Sequence, residues 1–434
     1  MGAVTIATNM RLLMIPNCKP TSYNRLIISS FGRKPSQVWC MGSTAAAHVT
    51  VLDQPSSHVQ HNPPRRSGNY GPSFWDFNYF QSLNSEYTDE RYLRRVSELK
   101  VEVKKMLVQE KEMWTVEELE LVDDLQKLGI SYHFEDEINQ MLGCLYEQKY
   151  GGGKNNSDSE GKERDLYSTA LEFRLLRQHG FSVPQEVFDC FKNEKGEFNP
   201  SLAHDTNGLL QLYEASFLST PGEKTLDLAR EFATNFLQKN PNDKIDENLS
   251  SLVCHALEFP IHWRAQRPNA RWFIDAYERR SDVKSVVLQL AKLDFNIVQA
   301  MHQEELKHLS SGQMYAQHIY KRQSGTPEDM EAVRSLSTYH DIIRYSGTIA
   351  RLADDLATST RRGGRVHKVY DRRDMEKMNE EAFAANSPFS KDFVRMAADV
   401  GRIAQYMYQH GDGHGVQGSH IKDRTSNLLF QPIP

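Results

Sequence analysis

The chain has 434 residues, 39% of them hydrophobic and 25% charged, with 52 Lys+Arg against 57 Asp+Glu and a formal net charge of −5. That length buries a substantial core and divides into two or three domains. The excess of acid excludes a general nucleic-acid binder, and no apolar run approaches a membrane span. Five scattered cysteines, Cys18, Cys40, Cys144, Cys190 and Cys254, form no C-x-x-C pair. Neither a zinc site nor a disulfide framework is indicated, and the expected compartment is reducing.

Before Asp53 there is no acidic residue, while Arg11, Lys19, Arg25, Arg33 and Lys34 stand among many Ser and Thr. This composition suits an organelle transit peptide, and the alternative is a disordered basic tail without an address. Next comes the run Arg65-Arg66-Ser-Gly-Asn-Tyr-Gly-Pro-Ser-Phe-Trp75, where Gly68, Gly71 and Pro72 oppose a regular helix and predict an extended strap anchored by Trp75.

Helical patterns follow. From Thr88 onward Leu93, Val96, Leu99, Val103, Met106 and Leu107 trace one face, with Asp89 and Glu90 placed for a first turn. The spacing predicts a second helix over 117–128 that stops at Gly129, a polar glycine-rich loop over 151–162, and a helix over 165–179 ended by Gly180 with Pro184 beyond. Thr220-Pro221-Gly222-Glu223 reads as a capping box with proline at the first helical position, leading into Leu226, Ala229, Phe232, Phe236 and Leu237. No alternating strand pattern competes, and no fixed internal period marks a repeat array.

His262-Trp263-Arg264 and Arg267-Pro-Asn-Ala-Arg271-Trp272-Phe273 interleave aromatic rings with guanidinium groups, which predicts cation–π packing between domains. A long helix is expected from Asp282 to about Leu309. The stretch 339–360, YHDIIRYSGTIARLADDLATST, carries Ile342, Ile343, Ile349, Leu352, Ala353 and Leu356 at helical spacing. On such a helix Arg351, Asp354 and Thr358 fall at i, i+3 and i+7, so a guanidinium, a carboxylate and a hydroxyl share one face. Oxygen ligands on successive turns suit Mg²⁺, and the arginine can grip a phosphate bidentately. The plainer reading is a buried helix whose aspartates pair locally. After it, Arg361, Arg362, Arg365 and Lys368 lie in a basic run that is either phosphate-neutralising or solvated surface. Near the end, Tyr408 either lines a pocket or packs between helices, and Gly411-Asp-Gly-His-Gly415 is a turn that can cover a site.

Several of these segments resemble plant class I terpene synthases of the monoterpene type. Arg65-Arg66 with Trp75 resembles the tandem-arginine motif at the mature N-terminus of that family. ERDLYSTALEFRLLRQHGF, TNGLLQLYEASFL and LDLAREFATNFL look like its N-terminal α-barrel, and Asp354-Asp355-Leu-Ala-Thr358 looks like the first half of its second metal motif. The resemblance implies an all-α fold, an N-terminal terpene-synthase α-barrel plus a truncated class I terpenoid synthase α-bundle. The limits it suggests are 1–54 for a chloroplast transit peptide and N-terminal tail, 55–260 for the N-terminal helical domain with its strap, and 261–434 for an internally deleted catalytic domain.

In that family, divalent ions held by two acidic motifs draw diphosphate off an allylic carbon, and the carbocation cyclises or loses a proton in a dry aromatic pocket. The resemblance therefore implies geranyl diphosphate as substrate, Mg²⁺ or Mn²⁺ as cofactor, the plastid stroma as location, and a monomer or homodimer with no nucleic-acid partner. Asp354 and Thr358 become metal ligands, Arg351 and Asp354 diphosphate contacts, Arg65 and Arg66 lid residues, and Tyr408 a pocket residue.

The sequence departs from the family in two places. After Glu304-Glu305 the helices that should carry an arginine pair and an Asp-Asp-x-x-Asp motif are missing. The acidic pairs Asp123-Asp124, Asp354-Asp355 and Glu304-Glu305 are followed at the fifth place by Lys127, Thr358 and His308, so none completes it. The second metal motif should close with Glu, and Arg362 stands there instead. Two clean gaps between matching segments read as lost exons or an alternative transcript. They leave a competing reading, a catalytically impaired helical protein that binds a prenyl diphosphate or pairs with an intact subunit.

Overall fold

Helix α1 (Phe77–Ser82) opens the part of the chain described by this computed structural model, residues 77–108, 115–151, 165–239, 246–310, 344–345, 348–349, 353, 376–381, 391–409 and 420–434. Helix α2 (Glu90–Leu107) begins two residues after Thr88, with Asp89, expected in the first turn, standing just outside it as the cap. The Asp89 carboxylate accepts from the Arg91 N–H at 2.9 Å and satisfies one of the orphan donors of the first turn. Val96, Leu99, Val103 and Leu107 are buried, whereas Leu93 is 44% exposed and does not join the core face expected of it. Three residues before Val96 it stands about 60° round the helix, at the edge of the stripe.

Helix α3 (Val116–Lys127) is capped by the Glu118 carboxylate, which accepts from the Thr115 N–H at 2.7 Å, and it stops at Gly129, whose φ of 74° lies in the left-handed region. A side chain at Gly129 would also meet the Ala270 Cβ at 3.0 Å, so the glycine serves a close approach as well as a turn. Helices α4 (Glu135–Tyr150), α5 (Leu166–Gln178), α6 (Thr206–Ser216), α7 (Lys224–Lys239) and α8 (Glu247–Glu258) follow. Aspartates 165, 205 and 246 each accept a backbone N–H at the start of α5, α6 and α8. The expected capping box at Thr220 is half right. Glu223 does accept from the Thr220 N–H at 2.8 Å, but Gly222 turns at φ 96° and the helix starts only at Lys224. Buried Arg177 recruits the Glu223 carboxylate as its counter-ion, which holds this turn outside the helix.

Helix α6 is buried continuously from Gly208 to Ser216, because α5, α7 and α8 pack round it. A short helix buried on every side, its polar Gln211 and Glu214 included, marks the centre of a helical barrel. Then come α9 (Gln266–Glu278), the 26-residue α10 (Ser285–Ser310), α11 (Lys391–Tyr408) and α12 (His420–Leu429). Helix α10, expected over 282–309, is the axle of the second lobe, with α1 and α2 on it from the N-terminal side and α9 and α12 from its own. One apolar cluster runs unbroken from Val96 through Phe273 and Phe295 to Ile433, so the two lobes share a core. The described residues form no β-strand, only an isolated bridge between Lys192 and Phe198, and the fold is all-α. No described helix is long and apolar enough to cross a membrane.

Candidate active-site face

The stretch that carries the candidate metal residues is described at five positions, and they fix how it is seated. Ile349 and Ala353, one turn apart, are 1% and 3% exposed. Thr348, next to Ile349, is exposed and its hydroxyl donates to the Arg344 carbonyl at 2.8 Å. Ile349 packs in a small cluster with Trp263, Met378 and Ala397, flanked by Tyr345, Val394 and Ala398, so this segment lies on α11 and on the turn that holds Trp263. Gly401 makes that seat possible. A Cβ there would stand 2.9 Å from the Ile349 Cγ2, closer than side chains approach, and only glycine lets α11 come so near.

Helix α11 is fixed in turn by what its polar face touches. Arg402 pairs with Asp399 at 2.7 Å and donates from Nε to the His262 carbonyl at 3.0 Å. The His262 ring stacks on Phe217 of the N-terminal lobe at 4.3 Å. Burial, then the nearby Arg230, Arg402 and Arg264, push the His262 imidazole well below its usual range, so it is neutral at physiological pH. Two residues on, Arg264 pairs with Glu214 of α6 at 2.6 Å. Burial alone would raise the Glu214 carboxyl, but Arg264, Lys127 and Arg174 outweigh it and hold that group far below the carboxylate range. Arg174 also reaches Asp123 at 2.7 Å, and Asp124 reaches Arg280 at 2.7 Å. The pair Asp123-Asp124 therefore holds structure together and does not face a ligand.

The aromatic–guanidinium stretch meets its expectation in part, since the Lys127 ammonium of α3 lies 5.7 Å over the Phe273 ring, a cation–π contact between the lobes. Arg267 does lie 4.0 Å over a ring, but the ring is Phe295 of α10 in the same lobe. Contact with the N-terminal lobe is also made by charge, through Arg264 with Glu214 and through Asp294, which accepts from the Tyr132 hydroxyl at 2.5 Å and lies 2.8 Å from the His133 Nε2. Rings and charges divide the work because a buried carboxylate such as Glu214 needs a counter-ion, which a ring cannot supply.

Among the proposed site residues, Tyr408 is the one that the structure describes. It is half-buried in the last turn of α11 against the large core cluster, near Tyr406. Arg65, Arg66, Arg351, Asp354 and Thr358 lie outside the described residues, as do the basic run at 361–368 and the Gly411–Gly415 turn. Among the described residues no group of three or more His, Cys, Asp or Glu could hold a metal ion. The carboxylate and hydroxyl that the sequence offers at Asp354 and Thr358 are oxygen donors of the kind a hard cation takes, and two are fewer than it needs.

One set of residues escaped the sequence reading. Asn296, Gln299 and Gln303 of α10 are all buried and turn their carboxamides onto the backbone of the last described segment. The signal was present as three carboxamides at i, i+3 and i+7, on one face of the helix LDFNIVQAMHQEEL.

A helical barrel joined through a shared core to a second lobe built round one long helix is the architecture of an all-α protein of the terpenoid-synthase kind. The chain belongs to the terpene synthase family. The family profile described as terpene synthase, N-terminal domain, matches residues 74–257. A (−)-α-terpineol synthase of Vitis vinifera is 34% identical over 546 residues, covering 85% of this chain and 91% of that protein. The crystal structure of a limonene synthase with 2-fluorolinalyl diphosphate is similar at a TM-score of 0.76 and 33% identity, covering 85% of this chain and all of that one. Isoprene synthase from grey poplar leaves, in complex with three Mg²⁺ ions and dimethylallyl-S-thiolodiphosphate, shares the fold at a TM-score of 0.64 and 24% identity, over 83% of this chain and 99% of that one.

Proposed function

We propose that this chain is a plastid monoterpene synthase by lineage, built for geranyl diphosphate, and that the polypeptide as it stands turns that substrate over slowly or not at all. The observation that carries the first half is the 34% identity to a terpineol synthase across 91% of its length. The second half rests on the same alignment and on the motifs. An alignment of 546 residues against a chain of 434 leaves stretches of the relative unmatched, in keeping with an internally shortened catalytic domain over 261–434.

In this reading Asp354 and Thr358 are the ligands left for Mg²⁺ or Mn²⁺, with Arg362 where a third ligand would close the motif. Arg351 grips the diphosphate, Arg65 and Arg66 cover it, and the Tyr408 ring borders the hydrocarbon. A metal site that loses part of its ligand set loses affinity and rate by orders of magnitude, so no turnover step is assigned to this one. Purified protein incubated with geranyl diphosphate and Mg²⁺, with products read by gas chromatography and mass spectrometry, should release monoterpene at least about a hundredfold more slowly than a full-length relative. Turnover at the relative's rate overturns the impairment. Calorimetric titration with a non-cleavable diphosphate analogue, giving no heat with or without Mg²⁺, overturns substrate binding.

A further inference from the structure

Helix α12 ends at Leu429 and the chain continues as Phe430-Gln431-Pro432-Ile433-Pro434 along α10. Helix ends leave carbonyls without partners, and here Asn427, Leu428 and Leu429 are the ones at stake. The Gln299 Nε2 donates to the carbonyls of Asn427 at 3.4 Å, Leu428 at 2.9 Å and Gln431 at 3.1 Å, and the Gln303 Nε2 donates to Leu429 at 2.9 Å. Asn296 does something more selective. Its Nδ2 donates to the Ile433 carbonyl at 2.8 Å while its Oδ1 accepts from the Ile433 N–H at 2.7 Å, so one carboxamide reads both backbone groups of a single extended residue.

The segment is shaped for such reading. Gln431, Pro432 and Pro434 are exposed while Ile433 is 2% exposed, so one side chain enters the core and its neighbours stay out. Gln431 and Ile433 each precede a proline, which disfavours the helical region for both and holds the backbone extended before it docks. Neither proline has an N–H, so Ile433 is the one donor of 432–434 and Asn296 takes it. A ligand already held in its bound form loses little entropy on binding.

We infer that the Asn296–Gln299 face of α10 is a peptide-binding slot, selective for an extended Pro-Ile-Pro segment, with this chain's own residues 431–434 as its resident ligand. The slot is separate from the catalytic reading and stands whether or not the chain turns over a substrate. The occupant is recognised by its backbone at one residue, one branched aliphatic side chain and the flanking prolines, so the same peptide supplied in trans binds once the resident segment is expelled.

The test uses the full chain with Ile433→Asp, which places a charge where the isoleucine is buried and empties the slot. A fluorescein-labelled peptide of the sequence NLLFQPIP, read by polarisation, should bind this variant with single-site saturation and leave the wild type, whose slot is filled, unbound. Adding Asn296→Leu should weaken that binding roughly 10- to 30-fold, the ratio for losing two hydrogen bonds. A peptide that ignores the Ile433→Asp chain, or binds wild type equally well, overturns the proposal. Should Ile433→Asp fail to fold, hydrogen exchange at the Ile433 amide decides on chains that keep the segment. Asn296→Leu should then speed that exchange at least about tenfold relative to the Leu428 amide, and equal protection in both chains overturns the slot.

Discussion

The contact between Gly401 and Ile349 makes a sharp test of how the motif-bearing segment is seated. A methyl group at position 401 would lie 2.9 Å from the Ile349 Cγ2 and 3.5 Å from both its Cβ and its Cδ1. Carbon atoms pack best at about 3.5–4.0 Å, so Gly401→Ala forces a displacement of roughly 0.6–1 Å at one atom. Overpacking of this kind costs about 1–3 kcal/mol, and replacing a mid-helix glycine by alanine returns about 1 kcal/mol. The single variant should thus lose about 0–2 kcal/mol. Ile349→Ala removes the atom that clashes and leaves a hole at a fully buried site, costing about 2–5 kcal/mol. In the double variant the new methyl group occupies part of that hole, so the two losses should fall short of their sum by about 1–2 kcal/mol. Urea titrations of all four chains, followed by far-ultraviolet circular dichroism and extrapolated linearly, measure the coupling. Losses that add to within about 0.5 kcal/mol would show that the two residues do not meet, and the seating of the segment on α11 would have to be given up.

Two further expectations concern the charges between the lobes. Glu214→Gln leaves Arg264 and Arg174 without their shared carboxylate, and breaking a buried pair from one side should cost about 3–5 kcal/mol in the same titrations, with a loss under about 1 kcal/mol counting against the network. Because the folded-state carboxyl of Glu214 is held below its unfolded value, its stabilisation is present above about pH 4.5 and fades as pH falls below that, so wild type should lose more on acidification than the variant. Asp124 has the opposite sign. Burial outweighs Arg280 and pushes its carboxyl up to about 6, so the folded state is favoured while that group is protonated and loses the advantage as pH rises through 6. Measured against Asp124→Asn, wild type should lose about 2 kcal/mol between pH 4 and pH 7, and parallel curves for the two chains would refute the shift.

How much of this could be read from residues alone depends on whether a feature is local. The starts of α2 and α5 were legible to within two residues because the acidic Asp89 and Asp165 stand at them, though as caps just outside the helix, and the stops at Gly129 and Gly180 because only glycine turns so readily at positive φ. Leu93 was misplaced because periodicity locates a stripe but not its edges, which the neighbouring helix decides. Thr220 was misread as the helix start because the Glu223 carboxylate answers to Arg177, 46 residues away in sequence. The same limit applies to the arginine stretch, where Arg267 and Arg264 look alike in the chain and take a ring and a carboxylate respectively in space.

By itself the sequence determined the all-α class, the helix stops at Gly129 and Gly180, and membership of the terpene synthase family, since these follow from spacing, turn glycines and motif residues carried within short windows. Tertiary structure decided which charges are counter-ions, why residue 401 must be glycine, and that three carboxamides of α10 are spent on the backbone of residues 427–433. The physical reason is that a buried polar group must find its partner wherever the fold brings one. For Asn296 that partner lies 137 residues away, a distance over which no local pattern carries information.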